Sequence, residues 1–231
     1  MWLAPTALAL ATTSVVVHAA PVAPLDHPVH AELGTEAGWT HAYTSGDVVV
    51  YKKGLTSVNQ TAWMGKTTLP EEISPEDFFT LLSDTDSHDQ YNRSLAESVV
   101  LDRTDGITTF YQVVKTPPYV PLSDRWWIAQ AKSTRDADDT PGHLRRMWAT
   151  LPSSARPAVR AQLEADYPGA IEIAFSGGRW DLIPRADGST QLVYRIVTDP
   201  GGAVPRALSS RFAGRSVAEN LESMLKAAGK R

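Results

Sequence analysis

Along most of the chain apolar positions recur every second residue, and only three stretches change to a helical period. Alternation places successive side chains on opposite faces of a pleated strand, so it predicts strands with one face turned to a core. Strands are expected over residues 41–44, 47–53 and 56–69, with Ser45-Gly46 and Lys53-Gly54 as turns between antiparallel neighbours. Residues 95–103 and 107–115 flank Asp105-Gly106, where glycine accepts the positive φ of a tight hairpin. Pro117, Pro118 and Pro121 supply no ladder donors, so that stretch is a connection before the next strand at 125–132. Further strands are expected at 142–150, 171–183 and 190–198, the last two forming a hairpin across Ala186-Asp187-Gly188.

The first helical stretch opens with Ser74 as N-cap and Pro75 at the first helical position, followed by Phe78, Phe79, Leu81 and Leu82, and stops by Asp84. The second spans 154–167, with Val159 and Leu163 four apart, and ends at Pro168-Gly169. The third lies between 204 and 229 and sets Val217, Leu221, Met224, Leu225 and Ala228 on one stripe, with Glu219, Glu222, Lys226 and Lys230 elsewhere. A helix of about 25 residues reaches about 38 Å, enough to cross a small sheet. The pattern therefore predicts an α+β fold: a curved antiparallel sheet of about six to nine strands gripping one long C-terminal helix, with smaller helices inserted, an architecture that often encloses a ligand-sized space.

Composition narrows the function. With 231 residues, 42% of them hydrophobic, the chain holds one sizeable core. A net charge of -4, with no basic stripe, argues against a nucleic-acid partner. The absence of cysteine removes disulfides, thiolate metal sites and cysteine nucleophiles. Residues 1–19 are apolar and rich in small side chains, and end on Val17-His18-Ala19, the pattern of a secretory signal peptide too short to span a bilayer. Residues 20–38 read as a proline-containing linker and 39–231 as the domain, exported to a periplasm or secreted.

The candidate chemistries are weak. Asp84, Asp86, His88 and Asp89 lack the glycine and terminal glutamate of a calcium loop and read as a solvated loop. His27 and His30, with Asp26, fall in the leader, where no scaffold would orient them on a metal. Ser176-Gly177-Gly178 and Gly201-Gly202 lack the lysine and the strand-to-helix setting of a phosphate loop. None of the six histidines sits in a nucleophile-like context, so no catalytic residue, metal or cofactor is expected. Trp126 and Trp127 are strand neighbours, so at most one can face an interior, and Trp180 and Tyr194 read as sheet core.

Thr190-x-Leu192-x-Tyr194 is followed by Asp199-x-x-Gly202-x-x-Pro205 at the entry to the last helix. These residues are similar to the last strand, and the loop before the closing helix, of the START domains (steroidogenic acute regulatory protein-related lipid transfer) of the Bet v 1-like helix-grip superfamily, which the chain resembles from about Gly46 to Ala228. Two further stretches agree: Pro121-Leu122-Ser123-Asp124-Arg125-Trp126-Trp127, in which Trp126 replaces an expected Asp, and Ser83 to Asn92, in which Tyr91 stands for a Trp. The resemblance implies a tunnel for one lipid or other apolar ligand, gated by the 199–205 loop and the C-terminal helix. It also implies a monomer in transient contact with membranes and makes Trp148, Ile183, Pro200, Phe212, Val217, Leu221 and Leu225 the cavity-facing candidates. Some sterol-binding members pair an acid with an arginine inside the tunnel; Glu97 falls at the acid, whereas Ala131 falls at the arginine, so the likeness extends to a lipid and stops short of a sterol. An enzyme of the polyketide cyclase or aromatase kind on the same fold, or an interaction module without ligand, are the alternatives.

Overall fold

The alternating runs become β1 (Thr40–Ser45), β2 (Val48–Leu55), β3 (Gln60–Thr68), β4 (Leu95–Thr104), β5 (Ile107–Val114), β6 (Arg125–Thr134), β7 (Leu144–Thr150), β8 (Ile171–Glu172), β9 (Phe175–Pro184) and β10 (Thr190–Asp199). This computed structural model describes residues 23–92, 94–116, 122–202, 204 and 206–230, with the backbone alone over 206–213. The expected signal peptide, Pro205 and the prolines at 117, 118 and 121 lie outside the described residues.

The strands form one sheet in the order β1-β2-β3-β10-β9-β7-β6-β5-β4, with β8 pairing off this path, parallel to β6. Every other pairing is antiparallel, and β10 joins the end of the chain to β3 near its start. The run expected as one strand over 171–183 is split at Ile173-Ala174, because Ile171 and Ile173 donate their N–H groups to Asp124 and Trp126 before the chain turns to pair with β7. Residues 56–59, expected inside a strand, form a turn in which Asn59 takes φ 49°, and pairing resumes at Gln60.

Among the described residues five α-helices accompany the sheet: α1 (Val29–Gly34), α2 (Pro75–Ser83), α3 (His88–Tyr91), α4 (Pro157–Asp166) and α5 (Arg206–Ala228). Ser74 caps α2 as expected, its hydroxyl accepting from the Asp77 N–H, and Phe78, Phe79, Leu81 and Leu82 of that helix enter the main core. The expected linker is corrected in part, since α1 lies within it. Val29 and Leu33, four residues apart, are both fully buried with Leu55, Ala62 and Val197 on the outer face of the sheet. The Glu32 carboxylate accepts the Thr56 and Ser57 N–H groups at 2.8 Å each, and Lys53 donates to the Glu32 carbonyl at 2.8 Å. A short helix with two apolar residues gains its order from this docking, not from propensity.

The position of α5 is set by one glycine. A Cβ on Gly65 of β3 would lie 2.4 Å from Leu221 Cδ1 and 2.9 Å from Val217 Cγ1, so only a bare backbone lets the helix seat this closely. The helix therefore rests on β2 and β3, against α2, and its other flank stands away from β5, β6 and β7.

Candidate functional site

That offset leaves a cavity of about 350 Å³ between the inner face of the sheet and the flank of α5 carrying Ser216, Asn220, Ser223 and Met224. The sheet side is made by cross-strand pairs, since residues opposite each other in the ladder share a face. Trp180 pairs with Tyr194 and with Arg146, Trp148 pairs with Gly178 and Ala131, and Gln112 pairs with Ser98 and Trp127.

Three rings build the wall. Trp148 and Tyr194 stack with centroids 5.9 Å apart, and Tyr194 and Trp180 with centroids 4.1 Å apart. The row requires Gly178: a Cβ there would come within 2.3 Å of Trp148 Cζ2 and 2.4 Å of the Arg195 carbonyl oxygen. This glycine makes room for an indole ring. Burial raises the pKa of the Tyr194 hydroxyl, which bonds Asn220, and Asn220 Oδ1 accepts from Asn92 Nδ2 at 3.1 Å. This chain ties α5 to the sheet and to the end of α3.

The polar end of the cavity is a connected network. His88 lies inside it, not in a solvated loop: its Nε2 donates to the Leu82 carbonyl at 3.1 Å, and its Nδ1 accepts from Gln112 Nε2 at 3.2 Å. Burial, aided by the like charge of Arg146, lowers the His88 pKa to about 4, so the imidazole is neutral at pH 7. Gln112 also donates to Ser98 Oγ at 2.9 Å, and Ser98 Oγ donates to the Thr85 carbonyl at 2.6 Å. Arg146, only 6% exposed, donates to Thr85 Oγ1 at 2.7 Å and to Ser133 Oγ at 2.9 Å. Asp86 faces elsewhere, accepting the Val100 N–H at 2.6 Å and pairing with Arg103 at 3.3 Å.

Arg125 closes a second part of the wall at the start of β6. Its Nε donates to the Pro200 carbonyl at 2.9 Å and its Nη1 to the Ser123 and Asp124 carbonyls, which fastens the loop after β10 to the sheet. Gly201 and Gly202 of that loop take φ of 66° and 65°, and a Cβ on Gly201 would lie 2.9 Å from the Glu172 carbonyl oxygen.

Among the residues expected to face the cavity, Trp148 does so, with Trp127, Trp180 and Tyr194. Trp126 is buried on the opposite face with Leu163 of α4, as strand alternation requires. The other candidates stand elsewhere. Glu97 faces α4, where Tyr167 Oη donates to it at 2.8 Å; burial first, then this bond, push the Tyr167 hydroxyl up to about 12. Its neighbour Ser98 points into the cavity side, so the strand puts the acid on the wrong face for a ligand. Ile183 follows Leu182 and so turns away from the face of Trp180 and Leu182. Pro200 reaches the wall only through its carbonyl bond to Arg125. Val217 and Leu221 form the seat on Gly65, Leu225 packs on the same core, and the Phe212 side chain lies outside the described residues. The polar stripe Ser216, Asn220 and Ser223, at helical spacing, was the available signal for the cavity-facing flank, and Arg146 with Trp148 at period two was the signal for the wall.

No protein-family model matches the chain. An uncharacterized protein of Pseudomonas aeruginosa is 23% identical over 194 residues, 84% of this chain and 88% of that protein. Among solved structures, a STAR-related lipid transfer protein of Xanthomonas axonopodis superposes with a TM-score of 0.67 at 20% identity, over 83% of this chain and 98% of that one. Human STARD10 gives 0.70 at 16% identity over 88% and 78%, and the Zhui aromatase/cyclase of Streptomyces sp. R1128 gives 0.50 at 15% over 74% and 94%. The chain has the START-like helix-grip fold.

Proposed function

We propose that this protein binds a single hydrophobic small molecule, foremost a lipid, in the cavity beside α5, and carries or sequesters it outside the cytoplasm. The observation that carries this reading is the aromatic row Trp148, Tyr194 and Trp180, which lines the cavity beside α5. Apolar surface removed from water is worth roughly 25 cal/mol per Å², which makes such a wall a favourable seat for a chain or ring system. The loop at 199–205 and α5 act as the gate, with Arg125 and the Tyr194, Asn220 and Asn92 bonds as its fastenings. Export rests on the apolar leader ending at Val17-His18-Ala19, and contact with a membrane is transient, for loading and release.

A carrier is favoured over a cyclase by the state of His88. Both its ring nitrogens are committed, one to a carbonyl and one to Gln112, so it offers no lone pair to a substrate proton. Native mass spectrometry of the purified protein should show a co-purified apolar ligand. Ser223→Phe, which extends a side chain into the cavity without touching the seat on Gly65, should lower the bound fraction at least fivefold with an unchanged circular dichroism spectrum. A ligand-free wild type in native spectra, together with no uptake of added lipid, would overturn the reading. Leu221→Trp is the wrong probe, because it would push α5 off Gly65 before filling any space.

A further inference from the structure

The charge of the cavity lining is lopsided. Among the described residues the lining includes two arginines, Arg125 and Arg146, and no carboxylate, in a protein whose net charge is -4. The two arginines differ in how their donors are spent. Arg125 gives its guanidinium to three main-chain carbonyls at the loop. Arg146 meets two hydroxyls only, those of Thr85 and Ser133, and no described carboxylate lies within ion-pair distance of it. A guanidinium has five N–H donors. Its own surroundings disfavour the charge: burial, and secondarily the like charge of Arg103, lower its pKa to about 10, which still leaves it a cation at pH 7. A buried cation without a counter-ion is costly, and the cost disappears when an anion is brought to it.

The acid that could have balanced it is on the other face. Glu97 is held by Tyr167 under α4, and the sterol-type pairing of an acid with an arginine is therefore absent from this cavity even though an arginine is present. An acid and an arginine together suit a neutral hydroxyl, which accepts from one and donates to the other. An arginine alone suits an acceptor that brings its own charge.

Building on the lipid-binding reading above, we infer that the ligand is an anionic amphiphile, with a carboxylate or phosphate head seated on Arg146 and one apolar chain or ring system along the row of Trp148, Tyr194 and Trp180. The volume of about 350 Å³ lies near the lower end of ligand pockets, about 300–1,000 Å³, and suits one chain in preference to two. The neutral His88 and Gln112 beside Arg146 leave its positive charge undiminished.

The test compares three probes that share one chain and differ in the head: hexadecanoate, hexadecyl phosphate and hexadecanol. Binding to the delipidated full chain at pH 7.5 is read from quenching of tryptophan fluorescence below the critical micelle concentration. The expected result is that hexadecanoate or hexadecyl phosphate binds at least about tenfold more tightly than hexadecanol, the worth of a hydrogen bond to a charged group. The tighter of the two identifies the head as carboxylate or phosphate. Arg146→Met should remove the preference while retaining hexadecanol binding. Equal binding of all three probes by the wild type overturns the anion seat alone and needs no variant to do so. Preference surviving Arg146→Met moves the seat elsewhere and also overturns it. Failure of every probe to bind overturns the lipid-binding reading on which it rests.

Discussion

On the outer face of the sheet Asp181 is fully buried and accepts hydrogen bonds from His143 at 3.0 Å, Arg145 at 2.7 Å, Arg179 at 2.6 Å and Arg195 at 2.7 Å. Asp138 and Glu36 complete the set by pairing with Arg145 and Arg195, so three arginines meet three carboxylates. On the inner face Arg146, the residue after Arg145, meets only hydroxyls. Adjacent arginines in one strand thus have opposite electrostatic surroundings, because alternation sends one to a neutralised network and the other to a cavity. The lesson is that buried charge by itself does not mark a site. Buried charge whose partners are all present is structure, and buried charge lacking a partner is where a ligand's charge belongs.

The comparison can be broken most forcefully at Asp181. Asp181→Ala leaves its buried cations uncompensated and should destabilise the protein by about 3–5 kcal/mol in urea unfolding. A loss below about 1 kcal/mol would show that the outer network is not structural. The next effect is on the wall: Gly178→Ala drives a Cβ into Trp148 and the Arg195 carbonyl, and should cost about 1–3 kcal/mol and alter near-ultraviolet circular dichroism. Arg146→Met should have the opposite sign from Asp181→Ala, leaving the ligand-free protein as stable as before or more stable by up to about 2 kcal/mol, since it removes a charge whose desolvation nothing repays. A loss comparable to that of Asp181→Ala would erase the distinction between the faces.

The smallest effect is in pH. Burial alone would raise the Asp181 pKa, but hydrogen bonds from His143 and Arg179 outweigh it and hold the carboxyl well below the usual carboxylate range. A group depressed in the folded state contributes stability above its unfolded pKa of about 3.9 and loses it as pH falls toward the folded value. Thermal stability should therefore fall progressively below about pH 5, and Asp181→Asn should flatten the slope in that range. An unchanged slope would place the acid sensitivity in other carboxylates.

Much of this fold was legible along the chain because its signals are local. The Asp105-Gly106 hairpin, the Ser74 cap and the opposite faces of Trp126 and Trp127 follow from turn chemistry, capping and period two, and all are present. The docking of α1 was missed because two apolar residues in a proline-containing segment carry no periodic signal; it depends on Leu55, Ala62 and Val197 being brought together from distant strands. The helix stripe was legible as a stripe, yet its role was not. Val217 and Leu221 meet Gly65, about 150 residues away in sequence, and that contact turns Asn220 and Ser223 toward the cavity.

The order of apolar and polar positions by itself determined the strands, the hairpins and the existence of a closing helix, because these depend on neighbours within one or two turns of the chain. Tertiary structure alone decided which flank of that helix faces the cavity, that His88 lies inside it, and that Arg145 is matched with acids while Arg146 is not. Those outcomes depend on where the sheet brings residues from distant strands, and a charge is balanced or unbalanced only by what lies beside it in space.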